Sequence, residues 1–269
     1  MIDITKKIDH SIKIIKGWAK WHNLYLAHSG GKDSCVIEHL CKIAGVPVTM
    51  VHNCTTIDPP YTLSFVKAKG CRVQRADATF FQLVEKKGLP SMFRRWCCSY
   101  FKEKYIADFV VLGVRASESN ARSKRYTEPS KCRIYSKKVQ TEMILPIYNW
   151  NIEDVQYFIE DNDIKLHPLY MGENGRYDYT KRLGCIGCPL QGDRGVDGYL
   201  RYPKFLRCLC HSYEKYVNTH KAVDGVYEDI IWQLFYSNHG DEKYQQNFHG
   251  LFSPPNAKSM LEDYFHILI

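Results

Sequence analysis

Leu24-Tyr25-Leu26-Ala27, then Ser29-Gly30-Gly31-Lys32-Asp33-Ser34, then Cys35-Val36-Ile37-Glu38-His39-Leu40 follow one another around His28. The apolar run predicts a strand over 23–28. The last stretch predicts a helix over 33–44, with Gly45 as its stop. Between them, adjacent glycines let the backbone curl and approach an oxyanion closely. The first amides of the following helix point outward and carry the positive end of its dipole. Ser29 and Ser34 add hydroxyls, and Lys32 adds a mobile positive charge. Asp33, in the first helical turn, suits a role in orienting Lys32 or holding Mg²⁺, and equally a plain complement to the dipole. A strand, glycine turn and helix start of this kind make a pocket for a phosphate chain. The spacing is not that of the usual nucleotide-triphosphatase loop, which puts four residues between its glycines and continues Gly-Lys-Ser/Thr.

Outward from this loop, strand and helix patterns alternate. A helix over 8–21 precedes it, with Ile8, Ile12, Ile15 and Trp18 on one face. Strands are expected over 46–52, 72–76, 109–114 and 144–147. Helices are expected up to Gly70, over 79–87, and from the cap Asn151 to about 162. Several of these strands are apolar throughout, which predicts an α/β protein with a doubly wound parallel sheet, covered on both faces. Ligands of such sheets bind beyond the carboxyl ends of the strands, where the loop, the stretch after His52 and Arg115 all fall. From His167 onward Pro, Tyr, Gly and Cys become frequent. Two domains are therefore expected: a nucleotide-binding domain over 1–165, and a cysteine-bearing, mainly helical C-terminal region over 166–269.

Composition is that of a globular protein, with 45% hydrophobic and 25% charged residues among 269. No apolar run is long enough to span a bilayer and the first residues lack a signal-peptide core. The expectation is a cytoplasmic protein with no membrane partner. Eleven cysteines in such a setting argue for metal or redox chemistry over a disulfide framework. Cys35, Cys41, Cys54, Cys71 and Cys132 read as scattered and structural. Cys97-Cys98, Cys185/Cys188 and Cys208/Cys210 read as pairs. The net charge of +8 is concentrated: Arg115, Arg122, Lys124, Arg125, Lys131, Arg133, Lys137 and Lys138 face only Glu118 and Glu128 over residues 115–138. With Tyr126 and Tyr135 interleaved, this segment suits a polyanion such as nucleic acid, and equally a solvated loop beside a nucleotide.

Residues 29–34 resemble the pyrophosphate loop of the ATP pyrophosphatases, the adenine nucleotide alpha-hydrolase-like superfamily that includes the phosphoadenosine phosphosulfate (PAPS) reductases. Further landmarks resemble that family in order. They are Arg95-Trp96-Cys97-Cys98 with Lys102, then Gly113-Val114-Arg115-Ala116-Ser117-Glu118-Ser119 with Arg122. Pro146-Ile147 with Trp150 and Asp154-Val155, His167-Pro168-Leu169-Tyr170, and Gly184-Cys185-Ile186-Gly187-Cys188-Pro189 follow. The resemblance spans residues 20–205. It implies a Rossmann-like fold and an enzyme that cleaves ATP, or a similar adenylyl nucleotide, at the α-phosphate with Mg²⁺, in sulfur metabolism or DNA and other nucleic-acid modification. A nucleic acid or a sulfur-carrier protein is the partner expected on the acceptor side. One departure is clear: the reductases' C-terminal Glu-Cys-Gly-x-His motif does not occur, and no cysteine follows Cys210. A PAPS or adenylylsulfate reductase releasing sulfite is thus the alternative, and a non-catalytic nucleotide- or DNA-binding module a third.

Carried onto this chain, the resemblance makes Lys32, Asp33, Arg115 and Arg122 the catalytic candidates. Ser29, Gly30, Gly31, Lys32, Asp33, Ser34, Thr56, Arg115, Glu118 and Arg122 are the nucleotide-binding candidates. Guanidinium forks pair bidentately with phosphate oxygens, and Glu118 is placed to hold an arginine. A turn on Asp58-Pro59-Pro60 accounts for Thr56 and Asp58 without a ligand. Two residues between Cys185 and Cys188 let both thiolates face one ion. Cys97 and Cys98 would complete four, with Cys208 and Cys210 as rivals. In the related adenylylsulfate reductases such a set holds a [4Fe–4S] cluster. Zn²⁺ would accept the same ligands, and a redox dithiol or buried free thiols are the other readings.

Overall fold

Strands β1 (Leu24–Ala27), β2 (Val48–Asn53), β3 (Arg72–Gln74), β4 (Phe109–Val111), β5 (Ser130–Ser136) and β6 (Val139–Ile144) form one sheet in the order 3-2-1-4-6-5. The computed structural model describes residues 4–125, 129–136, 139–191, 193–220, 225–236 and 256–269. All neighbouring strands are parallel except β5, which pairs antiparallel with β6. The α/β class and the mainly parallel, doubly wound sheet are as expected. β1 lies between β2 and β4, so the chain order reverses there. That is the switch point where such sheets open a crevice at their carboxyl ends.

Two compact units interleave along the chain. The first takes the stretch up to Cys54, Pro60–Gln74 and Lys104–Leu183 and holds the whole sheet; the second takes Thr55–Pro59, Arg75–Glu103 and Gly184–Ile269. In the first unit, helices α1 (Ile4–Ala19), α2 (Lys32–Ile43), α3 (Thr62–Ala68), α5 (Asn120–Arg125) and α6 (Ile152–Asp161) accompany the strands. Its core joins Ile15, Leu26, Val36, Ile37, Leu40, Val111, Ile144, Trp150 and Phe158. Asn151 caps α6 in a reciprocal capping box with Asp154. In the second unit, α4 (Phe80–Lys87), α7 (Asp193–Arg201), α8 (Pro203–His220), α9 (Val226–Ile231) and α10 (Ala257–Phe265) surround a separate core of Phe80, Val84, Phe101, Leu206, Phe235 and Phe265. Among the described residues no helix is long and apolar enough to cross a membrane.

One strand expectation is corrected. The strand expected over 144–147 ends at Ile144, and the ladder lies earlier, at Val139–Ile144. Pro146 has no amide to continue it, and Tyr148 turns back to the Leu145 carbonyl at 3.3 Å. Ile144, Leu145 and Ile147 are nevertheless fully buried; their apolarity reports core, not strand. β5 lies within the basic segment, where the sequence announces no strand. β5 is an edge strand, and Lys131 and Arg133 lie along it; charge on an edge discourages pairing with another chain.

Candidate functional site: the glycine loop and the paired cysteines

The loop joins β1 to α2 at the switch point, and its amides are largely committed to side chains. Gly30 stands at φ 81°, a left-handed conformation that favours glycine, and a Cβ there would meet Leu183 Cδ2 at 3.0 Å. Its N–H donates to His28 Nδ1 at 3.1 Å. The Gly31 N–H donates to Ser29 Oγ at 3.2 Å and the Lys32 N–H to the Tyr170 hydroxyl at 3.1 Å. Ser34 Oγ donates to the Gly31 carbonyl at 2.7 Å. Lys32 is not the mobile charge expected from sequence. It is 4% exposed, its Nζ donates to the Lys181 carbonyl at 3.2 Å, and it lies 5.5 Å from the Tyr170 ring centroid.

Arg115 is brought to the same loop from the end of β4. Gly113 makes this possible, since a Cβ there would lie 2.9 Å from the Asp33 carbonyl carbon. Arg115 is 5% exposed. Its Nε donates to Asp33 Oδ1 at 2.6 Å and its Nη1 to Ser117 Oγ at 3.1 Å. Ser117 Oγ in turn donates to the Trp150 carbonyl at 2.9 Å. Glu118 Oε1 stands 3.9 Å from Arg115 Nη2 and accepts from Arg182 Nη2 at 2.9 Å. Asp33 is thus the partner of Arg115, where sequence pointed to Lys32. Sequence missed Tyr170, Lys181 and Arg182 as parts of this site; only the family landmark at His167–Tyr170 hinted at the first. Arg122 belongs to α5, but its side chain lies outside the described residues, as do Tyr126, Lys137 and Lys138 of the basic segment. Thr56 belongs to the second unit. Its backbone is left-handed at φ 64°, and its hydroxyl accepts from the Phe80 amide at 2.8 Å.

Within the same unit, His28, Cys35 and Glu38 bring one ligand atom each within 4.8 Å of one another. Their donors are already used. Because His28 Nδ1 accepts from Gly30, the ring proton sits on Nε2, facing Glu38 Oε2 at 3.3 Å. Glu38 also accepts from Lys42 at 2.6 Å and Lys69 at 2.8 Å. Burial pushes Cys35 up to about 12, so it stays a thiol. The group is a closed polar core beneath the loop. Burial alone would raise the Glu38 carboxyl, but the hydrogen bonds from His28, Lys42 and Lys69 hold it well below its usual range. Burial lowers His28, with Glu38 opposing. Both shifts have one sign: stability is full at neutral pH and declines as pH falls, first below the ordinary 6.5 of histidine, then below the ordinary 4.5 of glutamate. Replacing Glu38 by glutamine leaves the half-buried Lys69 without its counter-charge. It should lower the unfolding free energy by about 3 kcal/mol and flatten the stability–pH curve below the ordinary 4.5 of glutamate, read by urea melts from pH 2 to 7. Unchanged melts would refute the linkage.

In the second unit, Cys97 and Cys98 open a π-helical turn, Cys98–Lys102, while Cys185 and Cys188 flank a turn at Gly187, φ 68°. Gly187 is required there: an added Cβ would overlap the Tyr199 ring. The thiols feel one another. The hydrogen bond from Cys97 is the main cause that brings Cys98 down to about 6, with Arg95 and Lys102 contributing. That same bond pushes Cys97 up. Electrostatic interaction with the neighbouring Cys185 is the main cause that raises Lys102. Cys185 Sγ donates to Thr55 Oγ1 at 3.5 Å. Among the described residues no three of these four sulfurs lie within 4.8 Å of one another. Cys208 is exposed and Cys210 buried. Burial holds Cys41 and Cys210 up at about 12, as for inert core thiols. Cys132, expected to be structural, is exposed on the edge strand.

The phosphoadenosine phosphosulfate reductase domain model matches residues 23–191. An uncharacterized protein of Methanocaldococcus jannaschii is 28% identical over 204 residues, 69% of this chain and 47% of that protein. The chain therefore spans about half the length of the curated relative it matches. A phosphoadenylyl-sulfate reductase from Candida auris, solved as a phosphate complex, superposes with a TM-score of 0.48 at 16% identity, covering 68% of this chain and 93% of that one. The FMN adenylyltransferase of Candida glabrata gives 0.45 at 16% identity over 68% and 62%. The U34-tRNA thiolase NcsA of Methanococcus maripaludis, solved with its [4Fe–4S] cluster, gives 0.41 at 13% identity over 82% of each chain. The matched span covers more than half of the sequence and holds the loop, the Arg115 segment and Cys97, Cys98, Cys185 and Cys188, and the chain belongs to the phosphoadenosine phosphosulfate reductase domain family.

Proposed function

We propose that the first unit binds ATP or a similar adenylyl nucleotide and cleaves it between the α- and β-phosphates. The observation that carries this reading is the convergence of Arg115 on the first turn of α2, through Asp33, beside the double-glycine loop. The Asp33 and Ser34 amides keep no protein acceptor among the described residues and are the free donors of the helix start. The Asp33 carboxylate would take the Mg²⁺ that accompanies a nucleotide. A nucleophile on an acceptor attacks the α-phosphorus and gives up its proton. The bond to the bridging oxygen breaks, and pyrophosphate leaves with the electron pair. Arg115, Lys32 and the helix amides stabilise the charge gathering on the leaving oxygens, as preorganised donors do. The acceptor would belong to sulfur or nucleic-acid modification.

Cys97, Cys98, Cys185 and Cys188 suit a [4Fe–4S] cluster. A single zinc, at about 2.3 Å from each sulfur, needs its sulfurs about 3.8 Å apart, closer than these stand as threes. Arg95 and Lys102 supply positive charge to a thiolate-rich group, and bound there the cluster would supply an electrophilic or electron-accepting iron centre. The test of the nucleotide reading is product analysis with γ-labelled ATP and Mg²⁺. Labelled pyrophosphate is expected; orthophosphate alone would refute α–β cleavage.

A further inference from the structure

We propose that the Tyr170 hydroxyl is a direct hydrogen-bond donor to the phosphate-type oxyanion held by the loop. This rests on the nucleotide reading above and adds a ligand contact that the loop motif does not contain. Tyr170 is 2% exposed. Its oxygen accepts from the Lys32 amide at 3.1 Å and from the Leu183 amide at 3.3 Å. A phenol oxygen has one proton to give besides what it accepts. With two N–H groups converging on it, that proton must point away from both, and it meets no acceptor among the described residues. Burial pushes the phenol up to about 12, so the proton is present at any physiological pH. The oxygen also stands 3.4 Å from where a Cβ on Gly31 would lie, directly over the turn. An unmet donor, almost wholly buried beside a glycine turn and a helix start, is a position waiting for an anion; buried donors otherwise find partners. An oxyanion there would complete the hydroxyl and draw on the same positive end of α2.

The test is calorimetric titration of the full chain with inorganic pyrophosphate and with ATP–Mg²⁺. Tyr170→Phe should bind both about tenfold more weakly, the ordinary worth of a hydrogen bond to a charged group. That variant also leaves the Lys32 and Leu183 amides without their acceptor, so a second one separates the roles. A 3-fluorotyrosine at position 170 is a stronger donor and a weaker acceptor. Tighter pyrophosphate binding supports a donor to the anion. Weaker binding marks a purely structural acceptor and overturns the proposal, and this arm decides if the phenylalanine variant does not fold. Unchanged affinity in Tyr170→Phe overturns it as well. Wild type that binds neither probe removes the nucleotide reading and this proposal together. Wild type that binds, with a variant that binds equally, removes only the role of Tyr170.

Discussion

Arg115→Ala should lose pyrophosphate release by a hundredfold or more, about the effect of removing one charged donor from a preorganised site. The guanidinium is buried and held from three sides, by Asp33, Ser117 and Glu118. A group so held needs little reorganisation when charge develops near it, and water cannot substitute for it. Arg115→Lys should recover only a small part of the activity, because an ammonium cannot bond Asp33 and Ser117 along the arginine fork while still reaching an oxyanion. The alanine variant also strands Asp33 in the first helical turn, and breaking a buried pair costs about 3–5 kcal/mol. Thermal melts of both variants must therefore accompany the kinetics. Turnover measured on folded protein decides the matter: a folded Arg115→Lys at near wild-type rate would show that Arg115 only braces Asp33.

Anaerobically purified protein should carry about four irons and four sulfides per chain, and Cys188→Ser should reduce that at least tenfold. Cys188 is chosen because it lies at the end of the Gly187 turn, where the backbone is locked by Tyr199 and Gly198. A serine there keeps the fold but offers a poor ligand to iron. Cys41→Ser and Cys208→Ser should retain full iron content, since one thiol lies in the core of the first unit and the other faces solvent. Stoichiometric zinc in the wild type, or iron retained in Cys188→Ser, would overturn the assignment. The measurement is independent of the nucleotide chemistry, so it tests the second unit alone.

Much of this architecture is legible in the chain. The strand, double glycine and helix start around residue 30 are local features, governed by hydrophobic period and by backbone freedom. Both act within a few residues, and the structure places β1 and α2 where they were expected. Asn151 and Thr79 announce their helices for the same reason: a cap is satisfied three residues away. The β5–β6 hairpin was not legible, because charges on an edge strand mask its alternation and pairing is decided by the neighbour. The apolar stretch at 144–147 misled in the opposite direction, since burial without a ladder looks the same in sequence as burial within one.

The residues proposed to meet a phosphate, and the thiols proposed to hold a cluster, are inscribed in short motifs whose chemistry depends on residue type and spacing. Which polar groups are already engaged is not inscribed there. Lys32 gives its ammonium to the carbonyl of Lys181 and its amide to Tyr170, 138 positions away, and Asp33 takes Arg115 from 82 positions away. Burial forces each polar group to find a partner, and in a wound sheet those partners come from distant segments delivered to one edge. Only the folded chain decides that the lysine is held, that the arginine is braced, and that one tyrosine proton is left facing the loop.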